Sequence, residues 1–328
     1  MNRPGVVLAI AIVAGLALLP SFIASQPREG PTRFHPEALG QDGRITLTPA
    51  FSPDGRTIYF AQSECSPIWD CPQRLMRSRR THRGWSAPET VRLPAEGRVD
   101  WPSVTTDGRT LLFSWASPRA RHNGQNVDVD FDLYALDLTD TNAVPVPFDA
   151  ADINRIRGGA IRKTRFVHNE TAPSLTSDGD LYFWTERLDG MGERDVYIAA
   201  SDGRGGFLTA RPLPSPINST GRDDGAWVSP DGRLMLMTYA DRGGSGDSDL
   251  FVSHRTGRVW SPPENLGALV NSSDADFAGR LTPDGRRLVF TSNRPVAGAR
   301  SDLLQVWSID TAKVPALNRA RSDAFHTR

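Results

Sequence analysis

The sequence predicts an all-β fold, a β-propeller of four-stranded antiparallel blades, five in number, whose ring is closed by an N-terminal strand pairing with the C-terminal blade. Three observations lead there. First, a phrase built on Asp-Gly recurs at Asp54, Asp107, Asp178, Asp231 and Asp284, in steps of 53, 71, 53 and 53 residues. A fixed period of this size marks a chain of stacked equivalent units. Second, each copy sits between apolar or β-branched runs, as in Phe51-Ser-Pro-Asp54-Gly55-Arg56-Thr-Ile-Tyr-Phe60. That is a tight-hairpin signal, because Asp and Gly tolerate the positive φ such turns require. Third, the last unit stops after its third strand, Leu303 to Asp310. The segment Arg33-Phe-His-Pro-Glu-Ala-Leu-Gly40 meanwhile resembles the fourth-strand segment Arg258 to Gly267.

Taken in order, the chain opens with Arg3 and an apolar run from Val6 to Leu19, then small residues through Ser25. This is the layout of a secretory signal, residues 1–25, cleaved after Ser25. An uncleaved anchor is the alternative, since the run is long enough to span a bilayer marginally. Residues 26–32 read as a linker, 33–313 as the propeller and 314–328 as a polar, disordered tail. Unit four shows the blade most clearly. Its strands run Gly225–Ser229, Leu234–Tyr239, Asp249–His254 and Val259–Trp260, with turns between them. A lone four-stranded meander exposes both faces, so the units must stack radially. Borrowing the missing strand from the N-terminus leaves no open edge. Residues 33–312, less the 18 extra in the second step, come close to five units of 53. A sixth blade is left open only over 139–170, a stretch short for four strands.

Composition narrows the function. Lys plus Arg and Asp plus Glu both total 38, so no net field favours nucleic acid or an anionic membrane. After signal cleavage no membrane span remains. The two cysteines, Cys65 and Cys71, have one possible pairing, and in an exported chain a disulfide is expected. The six histidines lack metal-ligand spacing and no Gly-x-Ser-x-Gly elbow occurs. No cofactor and no metal are expected. Asp128, Asp130 and Asp132 share one face of an extended strand; calcium there is a minor alternative to a solvated strand entry.

Ser-Pro-Asp-Gly-Arg before a strand, with Asp-Leu-Tyr or Asp-Leu-Phe on the next strand, resembles the WD40-like repeats of TolB-type propellers. The resemblance covers nearly all of 33–312. It implies a periplasmic or secreted bacterial interaction module that binds partner proteins at one face of the ring. The longer repeat, the lower blade number and the lack of a TolB-like N-terminal domain depart from that family.

Strand order sorts the loops. Turns between first and second and between third and fourth strands share one face, where the Asp-Gly copies are uniform. Loops between second and third strands, and those linking blades, share the other face, where lengths vary. Function rides on such variable loops. Acids precede the innermost strands there (Asp100, Glu170, Asp223, Asp224, Asp276) and arginines follow the second strands (Arg187, Arg242, Arg294). They read either as a polar binding mouth or as local pairs that tie loops down, with Asp195, Asp249 or Asp302 as partners of the arginines. Trp69, Trp101, Trp115, Trp184 and Trp227 are placed near the same face as stacking aromatics. Trp85, Trp260 and Phe207 are read as interblade packing. The expected function is noncatalytic binding of a protein partner or cell-envelope glycan on the loop face. The alternative is a glycan hydrolase using two of Asp100, Glu170, Asp224 and Asp276, since such enzymes need paired carboxyl groups.

Overall fold

In a computed structural model, the structure of this chain is described for residues 30–35, 39, 44–66, 68, 71–117, 121–122, 125–126, 131–155, 161–162, 165–166, 169–296 and 303–318. The signal sequence, Trp69, Asp128, Asp130 and Asp302 lie outside them. Five antiparallel sheets form five blades. The first three strands of blade 1 are Ile45–Phe51, Thr57–Ser63 and Arg74–Thr81, the last pairing with both Gly84–Trp85 and Glu89–Thr90. Blade 2 comprises Val99–Val104, Thr110–Trp115, Asp132–Asp137 and Val146–Pro147. Blade 3 comprises Glu170–Leu175, Leu181–Thr185, Asp195–Ala199 and Arg211–Pro212. Blade 4 comprises Asp223–Val228, Leu234–Tyr239 and Asp249–Thr256, which pairs with Val259–Trp260 and Glu264–Asn265.

Blade 5 takes Asp276–Leu281, Arg287–Ser292 and Gln305–Asp310 from the end of the chain and Thr32–Arg33 from its beginning. Thr32 stands opposite Ser308 and Arg33 opposite Trp307, and the Phe34 amide donates to the Val306 carbonyl at 2.9 Å. The expected closure is therefore present, and the count is five.

Second strands such as Leu181–Thr185 are buried along their whole length, because each is covered by a blade on either side. The core is accordingly a set of seams. Tyr182 and Ile198 of blade 3 pack on Met235 and Met237 of blade 4. Ile58 and Phe60 of blade 1 pack on Val289 and Val306 of blade 5. The fourth-strand aromatics are interblade, as expected: Trp260 lies edge-on to Tyr182 at 6.3 Å and Phe207 to Phe148 at 6.0 Å.

Two local features differ from the sequence reading. In the Asp-Gly turns only the glycine takes positive φ, 66° at Gly55 and 67° at Gly285. The aspartate instead closes the turn through its side chain: Asp54 accepts from the Ser52 hydroxyl at 2.5 Å and from the Arg56 amide at 2.9 Å. The first residues of the expected tail are packed on the propeller. Thr311–Lys313 form a 3-10 turn, and Val314, Ala316 and Leu317 are buried against Leu266 and Ile309.

Each inner strand carries a β-bulge at the same place. Register slips there in all five blades. Thr48, Trp101, Ala172, Gly225 and Ala278 have φ between 50° and 61°. Four of the five bear a Cβ in the left-handed region, at roughly 1–2 kcal/mol each. The bulge turns backbone donors toward the preceding blade of the ring, which offsets part of that: Thr48 N donates to Thr291 Oγ1 at 2.9 Å and Ala172 N to Ser114 Oγ at 3.2 Å.

Candidate functional site

On the loop face, acid and arginine are brought together, though not with the partners the sequence suggested. Arg187 Nε donates to Glu170 Oε1 at 3.0 Å, with both side chains fully buried. Arg242 pairs with Asp223 at 2.9 Å, and Arg294 pairs with Asp276. Each guanidinium also donates to carbonyls of the preceding interblade link: Arg187 to Ile153, Arg242 to Pro216 and Ile217, and Arg294 to Val270. The residue that follows in each link is an asparagine. Asn154 grips the backbone N–H and C=O of Leu133 at 2.8 and 3.0 Å. Asn218 does the same to Val196, and Asn271 to Leu250. The asparagine ties the link to the blade before it and the arginine ties it to the blade after.

The expected arginine partners, Asp195 and Asp249, instead accept amides within their own loops, from Gly192 at 3.0 Å and Gly246 at 3.4 Å. Spacing could have revealed the asparagine grip, since Asn218 and Asn271 stand one 53-residue period apart.

The remaining acids are also engaged. Asp224 pairs with Arg194 at 2.8 Å, and the same guanidinium pairs with Glu186 at 2.8 Å and lies 4.9 Å over the Trp184 ring. Burial raises the Asp224 carboxyl, opposed by Arg194 and Arg222. Burial also raises Asp223, opposed by the Ser219 amide and Arg242. Asp100 is the outlier. Burial pushes its carboxyl up to about 6, against hydrogen bonds from Thr48 and the Trp101 amide. Those bonds measure 2.5 and 2.7 Å.

The described tryptophans do not form a stacking platform. Trp115 and Trp184 are buried, Trp115 against Tyr134 at 5.1 Å. Trp101, from blade 2, crosses the axis. A Cβ on Gly225 of blade 4 would lie 3.0 Å from Trp101 Cη2, and the Phe277 ring of blade 5 is 6.4 Å away. The bulge glycine of blade 4 thus relieves crowding by the Thr238 hydroxyl, 2.9 Å from such a Cβ, and by the indole. Trp227 lies at the opposite end from its expected position, near the Asp-Gly turns.

That opposite end holds the axial pocket, of about 340 Å³. All five inner strands supply its wall through Phe51, Val104, Leu175, Val228 and Leu281, and the turn residues Pro53, Pro230 and Pro283 form its lip. Deeper lie Ser103, Ser174, Trp227 and Arg280, the residues that resume register after each bulge. Burial pushes the Arg280 guanidinium down to about 9, against the field of Asp100. Sequence reading missed this pocket because it took the uniform turns as structural. The signal was present one residue before each strand end, where Ala50, Trp227 and Arg280 depart from the serine of Ser103 and Ser174 while the residue that follows is apolar in every blade.

Cys65 and Cys71 are joined in a disulfide with a Cα separation of 5.9 Å, on the loop side of blade 1. Among the described residues no group of His, Cys, Asp and Glu could hold a metal ion, and no helix is long and apolar enough to cross a membrane.

No family model matches the sequence and no curated protein does. Solved structures similar to this chain include TolB from Acinetobacter baumannii, 15% identical, with a TM-score of 0.47 over 81% of this chain and 54% of that one. This chain therefore spans about half of that TolB. A TolB-type protein from Agrobacterium tumefaciens is 17% identical, with a TM-score of 0.48 over 82% of this chain and 78% of that one. An α-L-arabinofuranosidase from Lactobacillus brevis is 11% identical, with a TM-score of 0.50 over 83% and 93% of the two chains. What is shared at this level is the propeller.

Proposed function

We propose that this chain is a noncatalytic propeller of the cell envelope that captures a protein partner on its loop face. The observation that carries the reading is the commitment of the acids. Glu170, Asp223, Asp224 and Asp276 are each held by an arginine of the same chain, so they serve to fasten loops. The fastened loops display apolar side chains: Leu188 is 57% exposed, Met191 46% and Leu269 41%. Loops already ordered lose little entropy on association, which favours their use as a recognition surface. The secretory signal layout and the disulfide suit an exported protein. In-cell photocrosslinking from positions 188 and 191 tests this. Capture of one defined partner should be lost in Leu188→Asp and Met191→Asp; capture unaffected by both charges rules out this face.

Asp100 favours a second reading, a glycan hydrolase, because a carboxyl raised to about 6 suits a general acid. Turnover of arabinan or xylan that disappears in Asp100→Asn would replace the first reading with this one.

A further inference from the structure

The axial pocket on the Asp-Gly face contains two polar side chains, Arg280 and Ser103, that make no hydrogen bond among the described residues. Arg280 is 6% exposed. Among the described residues its guanidinium makes no hydrogen bond or ion pair, and its Nε is buried without a partner. Arg187, Arg194 and Arg242, on the loop side, by contrast each hold a carboxylate within 3.0 Å. Asp100 influences Arg280 through its field, yet the two form no direct ion pair, and Asp100 Oδ1 is occupied by Thr48 and the Trp101 amide. Ser103, also buried in the pocket wall, has a hydroxyl without an intrachain hydrogen bond among the described residues. Ser174, its counterpart in blade 3, is by contrast engaged with the Val228 backbone at 3.0 and 3.2 Å.

A buried cation whose nearest counter-charge, Asp100, acts only at a distance is costly, and burial alone does not explain its retention at a position where the other blades carry Ala50, Ser103, Ser174 and Trp227. An anion arriving from solvent would supply the missing partner. The rest of the pocket restricts what that anion can be. Arg280 is the single cationic side chain in the lining, which matches one negative charge. A guanidinium presents parallel N–H donors that suit a carboxylate. Beside it lies the Trp227 indole and above it a collar of Phe51, Val104, Leu175 and Leu281, which suits an apolar body. The volume, about 340 Å³, falls at the small end of ligand sites.

We propose that this pocket is the receptor for a small organic carboxylate, its charged end seated on Arg280 and Ser103 and its apolar body laid against Trp227 and the collar. The site is independent of partner capture on the loop face, since it opens at the other end of the axis.

The purified chain is titrated with hexanoate and benzoate at constant ionic strength, reading tryptophan fluorescence and Tm. Hexanamide and benzamide serve as neutral isosteres, and inorganic phosphate as an anion without an apolar body. The expected result is saturable binding of a carboxylate, at least tenfold tighter than its amide and than phosphate. Arg280→Met should weaken it at least tenfold. Ser103→Asp places a carboxylate inside the pocket, so it should abolish binding and raise the ligand-free Tm; it decides the question alone if Arg280→Met does not fold. No response to either carboxylate overturns the assignment. So does equal binding of amides or phosphate, or wild-type binding by Ser103→Asp.

Discussion

Blades 3 to 5 and blades 1 and 2 solve the same problem with different chemistry. In the former, the link entering each blade is fastened by an arginine paired with a buried acid, as with Arg187 and Glu170. In blade 1 the acid's place is taken by Thr46, whose hydroxyl donates to the Leu39 carbonyl at 2.6 Å. The arginine's place is taken by Glu64, next to the disulfide. In blade 2 the corresponding positions are Val99 and Ser117, and the blade is instead tied across the axis by Trp101. The difference teaches that a propeller seam needs its link's polar groups satisfied and its blade anchored, and that charge is one of several ways to do both. It also separates a repeated contact, which holds the fold, from a position whose residue varies among the blades, which is free to specialise.

The contrast can be broken most severely at Arg187. Arg187→Met leaves Glu170 buried without its cation and should lower unfolding free energy by about 3–5 kcal/mol, read from urea midpoints. A loss under about 1 kcal/mol contradicts the fastening role. Trp101→Ala empties the axis and should cost about 3 kcal/mol or more. Gly225→Ala would clash with Trp101 and should be tolerated better in the Trp101→Ala background, although its positive φ still carries a penalty.

Asp100 gives a pH-dependent test. Its folded carboxyl is raised to about 6 from 3.8, so between those values the native state binds more protons than the unfolded chain. Its contribution to stability is therefore fully present below the unfolded value and falls as pH rises toward 6. Asp100→Asn should match the wild type near pH 4 and exceed it by about 2–3 kcal/mol at pH 7. A constant offset across that range assigns the raised carboxyl no role. The smallest effect belongs to blade 1: Thr46→Val removes the hydrogen bond to the Leu39 carbonyl and the longer one from the Gln62 amide and should cost about 1 kcal/mol.

Architecture was readable because the Asp-Gly phrase is local and periodic. Hairpins, blade count and closure all follow from nearby residues and from Phe34 matching the missing strand. The latches were half readable. Glu170, Asp223 and Asp276 were found with Arg187, Arg242 and Arg294, but the pairing depends on where a link folds back, which spacing does not encode. The tryptophans were the least readable. Their faces are set by the bulge at Trp101 and by the turn-side position of Trp227, and a one-residue register slip reverses which way a strand residue points. Arg280 escaped notice for a related reason, since its significance lies in the partner it lacks.

The central claim is that the channel-mouth acids fasten the ring. A double-mutant cycle on Glu170 and Arg187, using Glu170→Gln and Arg187→Met and measured by urea unfolding, tests it most directly. The account predicts a coupling energy of about 2 kcal/mol or more between the two sites. Additive losses within about 0.5 kcal/mol, in a protein whose glycan turnover vanishes in Glu170→Gln, would contradict it.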